Sequence, residues 1–123
     1  MFELTEEGCV VIDVRDLSDT EKDIRRIKDR IRLIAGLVVN GYRVVVRCVA
    51  GINRSNAFAC AAMCLIMPQN EDLDTTWNHH LEVVRGKVGR AQINPELVDS
   101  IKKALWSTGR FKYWTNANIW CEK

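Results

Sequence analysis

The chain has 123 residues, of which 47% are hydrophobic and 28% charged, with a net charge of +2. That length suits one domain over residues 1–123, which buries roughly two-thirds of the surface its unfolded chain exposes. The charge is too small to argue for nucleic acid by itself, no apolar run reaches transmembrane length, and the acidic start Met1-Phe2-Glu3-Leu4-Thr5-Glu6-Glu7 is unlike a signal peptide. Five cysteines, an odd count without a C-x-x-C pair, point to thiols in a reducing cytoplasm, not to a disulfide scaffold.

Taken in chain order, Phe2 to Leu4 offers a short edge strand and Cys9 to Val14 a longer strand. Ser18 and Glu21 have the spacing of a capping box, which predicts a helix from about Asp19 to Val39. Ile24, Ile27, Ile31, Ile34 and Val38 would form its apolar face, and Lys22, Arg25, Arg26, Lys28, Arg30 and Arg32 a basic outer face, most simply a solvated one. Asn40-Gly41 ends it. Val44 to Val46 read as a buried strand, and Ser55 to Met67 as an Ala- and Leu-rich helix stopped by Pro68. Leu73, Trp77, Leu81 and Val84 are in phase for a helix to about Arg85, and Asn94-Pro95 opens a last helix through about Trp106. The tail from Arg110 to Cys121 is aromatic; Phe111, Trp114 and Trp120 are expected to pack on the sheet or helices, or at a dimer contact. The order implies an α/β fold, a small and mainly parallel sheet flanked by helices, with ligands beyond the carboxyl ends of the strands.

One segment carries most of the chemistry. Strand 43–47 delivers Cys48, and the chain then bends through Val49, Ala50, Gly51, Ile52 and Asn53 to Arg54 and Ser55, where a helix starts. Backbone N–H groups in such a bend converge, and the helix N-terminus adds positive potential. A thiol at the base of that field is favoured as thiolate. Arg54 offers a planar fork that matches two phosphate oxygens, and Ser55 a donor to the sulfur. Gly51 permits close backbone approach.

The run from Cys48 to Ser55 resembles the C-x5-R-[ST] signature of the cysteine-dependent protein tyrosine phosphatases, and its Ala-Gly pair looks most like the dual-specificity branch. The resemblance is strongest over residues 43–67. It implies a phosphatase-like fold with a truncated N-terminal sheet and no cofactor or metal. Cys48 would be the nucleophile, residues 49–54 the phosphate loop, and Arg54 the transition-state clamp. It also implies an aspartic acid on the loop after the preceding strand, roughly thirty residues ahead, as general acid. Asp16 lies 32 residues before Cys48 and Asp19 lies 29 before it; Asp16 is the first choice, Asp19 the second and Asp13 the third. Both Asp16 and Asp19 also suit a helix N-terminus without any catalytic role.

A softer likeness follows. Val83-Val84-Arg85, Arg90 and Ile93-Asn94-Pro95 are similar to the dual-specificity pattern V-R-x-x-R-x-x-I-x-P-N. On that likeness Gln92 or Asn94 would position the hydrolytic water, although Asn94 is equally a helix N-cap. Two departures stand out. Arg47 replaces the usual His before the cysteine, and few residues remain for strands ahead of the acid loop. The implied partner is a phosphoprotein carrying phosphotyrosine, with phosphoserine or phosphothreonine as further substrates; no membrane is implied, and the expected state is a monomer or weak homodimer. The Gly51-Ile52-Asn53-Arg54 order is also similar to cysteine-dependent RNA 5′-triphosphatases, and an inactive phosphate-binding module is the non-catalytic alternative. Cys60 and Cys64 read as small core residues, Cys9 as a candidate resolving thiol, and His79-His80 lack neighbours at metal-ligand spacing.

Overall fold

Strand β2 (Cys9–Asp13) lies at the centre of the sheet because both of its faces are apolar: Val10, Val11 and Ile12 are all buried. In the computed structural model, which describes residues 2–4, 8–48, 53–89 and 93–114, β1 (Phe2–Leu4) pairs antiparallel to β2 with Phe2 opposite Ile12. Strand β3 (Arg43–Arg47) pairs parallel to β2 with Asp13 opposite Arg47. Among the described residues the strand order is β1-β2-β3, so the sheet is mixed and β3 lies at its edge. The reading of Val44 to Val46 as buried is corrected accordingly. Val44 and Val46 pack on the core, whereas Val45 points the other way and is 47% exposed. Alternation along a strand that has helices on one face produces this split.

Helix α1 (Ile24–Val39) crosses between β2 and β3 and starts later than its sequence suggests. Asp23, not Ser18, is the N-cap, accepting from the Arg26 N–H at 3.2 Å. The Ser18–Glu21 pair closes a separate turn: Glu21 N–H donates to the Ser18 carbonyl at 3.2 Å, and Ser18 N–H to the Glu21 carboxylate at 3.1 Å. Half of a capping box thus forms, but on the loop between β2 and the helix. Ile27, Ile31, Ile34 and Ala35 are buried, with Ile24 and Leu37 packed against them. The turn after α1 uses Gly41 at a φ of +90°, which L side chains disfavour.

Helix α2 (Arg54–Ile66) lies against α1, α3 and α4, and Ala57, Phe58, Cys60, Ala61, Ala62 and Cys64 are all buried along it. A helix apolar on nearly all sides must sit inside, and its small residues let three neighbours approach. Phe58 is fully buried, contributing roughly 1.5–3 kcal/mol. Helix α3 (Leu73–Val88) is capped by Asp72 and runs three residues past the expected Arg85, to a left-handed Gly89 at φ 74°. Helix α4 (Pro95–Trp106) begins at its Asn94 cap. The tail joins the core: Phe111 and Trp114 are buried, Trp114 lies 6.1 Å from Trp106, and Leu73 N–H donates to the Tyr113 carbonyl at 2.9 Å. Trp120 lies outside the described residues. Among the described residues, no helix is long and apolar enough to cross a membrane.

Candidate active site

Adjacent parallel strands put two loops side by side. Cys48 follows β3 directly, and the loop carrying Asp16 and Asp19 follows β2. The sulfur of Cys48 meets the first turn of α2: the Ser55 N–H donates to Sγ at 3.4 Å, and Ser55 Oγ lies 3.4 Å from Sγ. With a thiol the hydroxyl accepts; with a thiolate it donates. Ser55 is itself buried, and Cys48 is half-buried.

Arg54 precedes Ser55 and is bound to the loop that follows β2. Its Nη1 donates to the carbonyls of Arg15 at 3.1 Å and Leu17 at 2.8 Å, and its Nε lies 3.1 Å from Asp19 Oδ1. Only 16% of the side chain is exposed. Asn53 Nδ2 donates to the same Asp19 oxygen at 2.7 Å, while Asn53 Oδ1 accepts from the Asn94 N–H at 2.8 Å. The start of α2, the loop after β2 and the start of α4 therefore meet at Asn53 and Arg54.

Asp16 is held elsewhere. Arg30 binds it bidentately, with Nη1–Oδ1 and Nη2–Oδ2 both at 2.8 Å, and Arg26 Nη2 approaches Oδ2 at 3.2 Å. The Arg30 hydrogen bonds bring its carboxyl down to about 2. Asp13 is likewise lowered, chiefly by Arg15, and Arg47 approaches it at 3.8 Å. Arg47 thus joins the Asp13 pair at the end of the sheet.

Val49, Ala50, Gly51, Ile52 and Gln92 lie outside the described residues. Asn94 Oδ1 accepts from the Glu96 N–H at 2.9 Å, which is its capping role. Cys9 pairs with Arg43 at the amino ends of the strands, about 16 Å of strand from Cys48, which removes it as a resolving thiol. Cys60 and Cys64 are buried, and the Cys60 thiol is pushed far up by its hydrogen bond to Cys64 and by burial. His80 is buried with Nε2 2.7 Å from the Met67 carbonyl, and His79 is exposed.

Sequence reasoning missed the Asp16–Arg26–Arg30 cluster and the Asn53 bridge. The first had a signal in the four-residue spacing of the two arginines, which sets them on one side of α1. The bridge joins residues 34 and 41 positions apart and has no local signature. No protein family, curated protein or solved structure matches the chain.

Proposed function

We propose that the chain is a cysteine-dependent phosphatase that hydrolyses phosphate monoesters through a phosphocysteine. The observation that carries this reading is the Cys48 sulfur at the N-terminus of a 13-residue helix, 3.4 Å from both the Ser55 N–H and its hydroxyl, with Arg54 one residue earlier. The helix end favours the thiolate, which is the nucleophile. In the first step Sγ bonds to phosphorus, the ester P–O bond breaks, and the leaving oxygen takes a proton. In the second, water attacks phosphorus, loses a proton, and the S–P electrons return to Cys48, eased by the Ser55 donors. Arg54 neutralises the equatorial phosphate oxygens in both steps.

The proton donor we assign is Asp19. It touches Arg54 and Asn53, whereas Asp16 carries a bidentate guanidinium that keeps it ionised and makes it a poor acid at neutral pH. Asp16 then anchors the acid loop to α1. The substrates proposed are phosphotyrosine and other phosphoprotein esters, in a reducing, cytoplasmic setting. A second reading, an RNA 5′-phosphatase, has one observation in its favour: a groove of about 340 Å³ on α1, lined in part by Arg25, Lys28 and Arg32.

The test is phosphate release from phosphotyrosine and phosphothreonine peptides and triphosphate-ended RNA, by wild type and Cys48→Ser. The expected result is release from the peptides that falls at least ~10³-fold in the variant. Release from RNA alone favours the second reading, and no Cys48-dependent release from any substrate leaves only phosphate binding.

A further inference from the structure

Asn53 stands at the N-cap position of α2, where its side chain ordinarily accepts from the first helical N–H groups. Here it makes no such bond. Its amide is spent between two other loops: Nδ2 to Asp19 Oδ1 at 2.7 Å, and Oδ1 from the Asn94 N–H at 2.8 Å. The acceptor end is fixed by a backbone donor, so the amide cannot flip, and its NH₂ must face Asp19. Asp19 Oδ1 therefore has two donors, Asn53 Nδ2 and, at 3.1 Å, Arg54 Nε.

These two donors differ in what a substrate does to them. A phosphate dianion competes for the Arg54 fork, and a planar guanidinium prefers two phosphate oxygens to a shared carboxylate oxygen. Asn53 is neutral and anchored to Asn94, so it stays. Once the dianion has taken the Arg54 fork, Asn53 is the donor of this pair that still holds Asp19. With Oδ1 still accepting from Asn53, the proton resides on Oδ2.

We infer that Asn53 is the positioning residue for the general acid. It retains Asp19 beside the start of α2 when substrate draws Arg54 away, and it selects Oδ2 as the proton-bearing oxygen. As the P–O bond breaks and the S–P bond forms, the Oδ2 proton passes to the leaving oxygen. Oδ2 recovers a proton from the attacking water in the second step. This inference rests on the phosphatase reading of the same site and extends it to a residue whose helix-cap position suggests only a structural role.

The experiment compares two aryl phosphates, one with a poor and one with a good leaving group, across wild type, Asn53→Asp, Asn53→Ala and Asp19→Asn. Asn53→Asp keeps the acceptor for the Asn94 N–H and replaces the donor to Asp19 with a carboxylate that repels it, whereas Asn53→Ala loses both contacts. The inference expects kcat on the poor leaving group to fall ~10²-fold in each Asn53 variant, and only several-fold on the good one. It also expects Asn53→Ala to add little in the Asp19→Asn background, since the two act as a unit. Equal losses on both esters, or additive losses in the double variant, overturn the positioning role while the phosphatase reading stands. Failure of wild type to hydrolyse either ester overturns both.

Discussion

Cys48 and Cys60 belong to the same piece of structure and are opposite in chemistry. Cys48 faces the first turn of α2, with the Ser55 N–H directed at its sulfur. Cys60 lies inside that helix, fully buried, with its S–H directed to the Trp77 carbonyl at 3.7 Å. The end of a helix offers N–H groups that lack intrahelical partners, and these reward negative charge. The middle offers only satisfied backbone and apolar neighbours, and these penalise it; Cys60 is pushed far up by Cys64 and burial. The position of a thiol relative to a helix end, more than its neighbours in sequence, sets whether negative charge on its sulfur is favoured.

Substitutions at the end and in the middle of α2 should separate in kind. The largest expected effect is in the buried stretch: Phe58→Ala should cost about 3–5 kcal/mol in denaturant unfolding. Thiol reactivity sharpens the contrast next. In the native protein at neutral pH, Cys48 should alkylate at least ~10²-fold faster than Cys60 or Cys64, read from modified peptides by mass spectrometry. Similar rates at the three sites would erase the distinction.

The acid loop offers a second such pair. Asp19→Asn should lower kcat on a poor leaving group ~10²-fold, whereas Asp16→Asn should leave kcat within about threefold and act on stability. The reversed pattern would return the acid to Asp16. The smallest effect is on pH dependence. The folded Asp16 carboxyl, at about 2, lies below its unfolded value of about 3.9. Its pair with Arg30 therefore contributes in full above about pH 4, and the contribution is lost as pH falls through about 2. The carboxylate is 49% exposed, so screening holds the effect to about 1 kcal/mol or less. Acid unfolding of Asp16→Asn should lack this slope.

Much of the frame was legible because its signals are local. The period of Ile27, Ile31 and Ile34 marks α1, and the Asn94-Pro95 step marks α4. Cys48, Arg54 and Ser55 are close in sequence, so their meeting at one helix end follows from a strand, a bend and a helix. What failed depended on competition or on distant contacts. Ser18 and Asp23 both suit an N-cap, and nothing local shows that Ser18 closes its own turn instead. Three valines in a row look buried on both faces until β3 proves to be an edge. The choice between Asp16 and Asp19 depends on which arginines reach them, Arg26 and Arg30 from one helix and Arg54 from another.

The central claim is that Cys48 carries the phosphoryl group, and a rapid acid quench during turnover of an aryl phosphate tests it most directly. Peptide mass spectrometry of the quenched wild type should find one phosphoryl group on the Cys48 peptide and none on Cys60 or Cys64. It should accumulate when the second step is slowed by Ser55→Ala, which removes the hydroxyl donor to the leaving sulfur. Turnover without phosphorylated Cys48 in either protein would contradict the account.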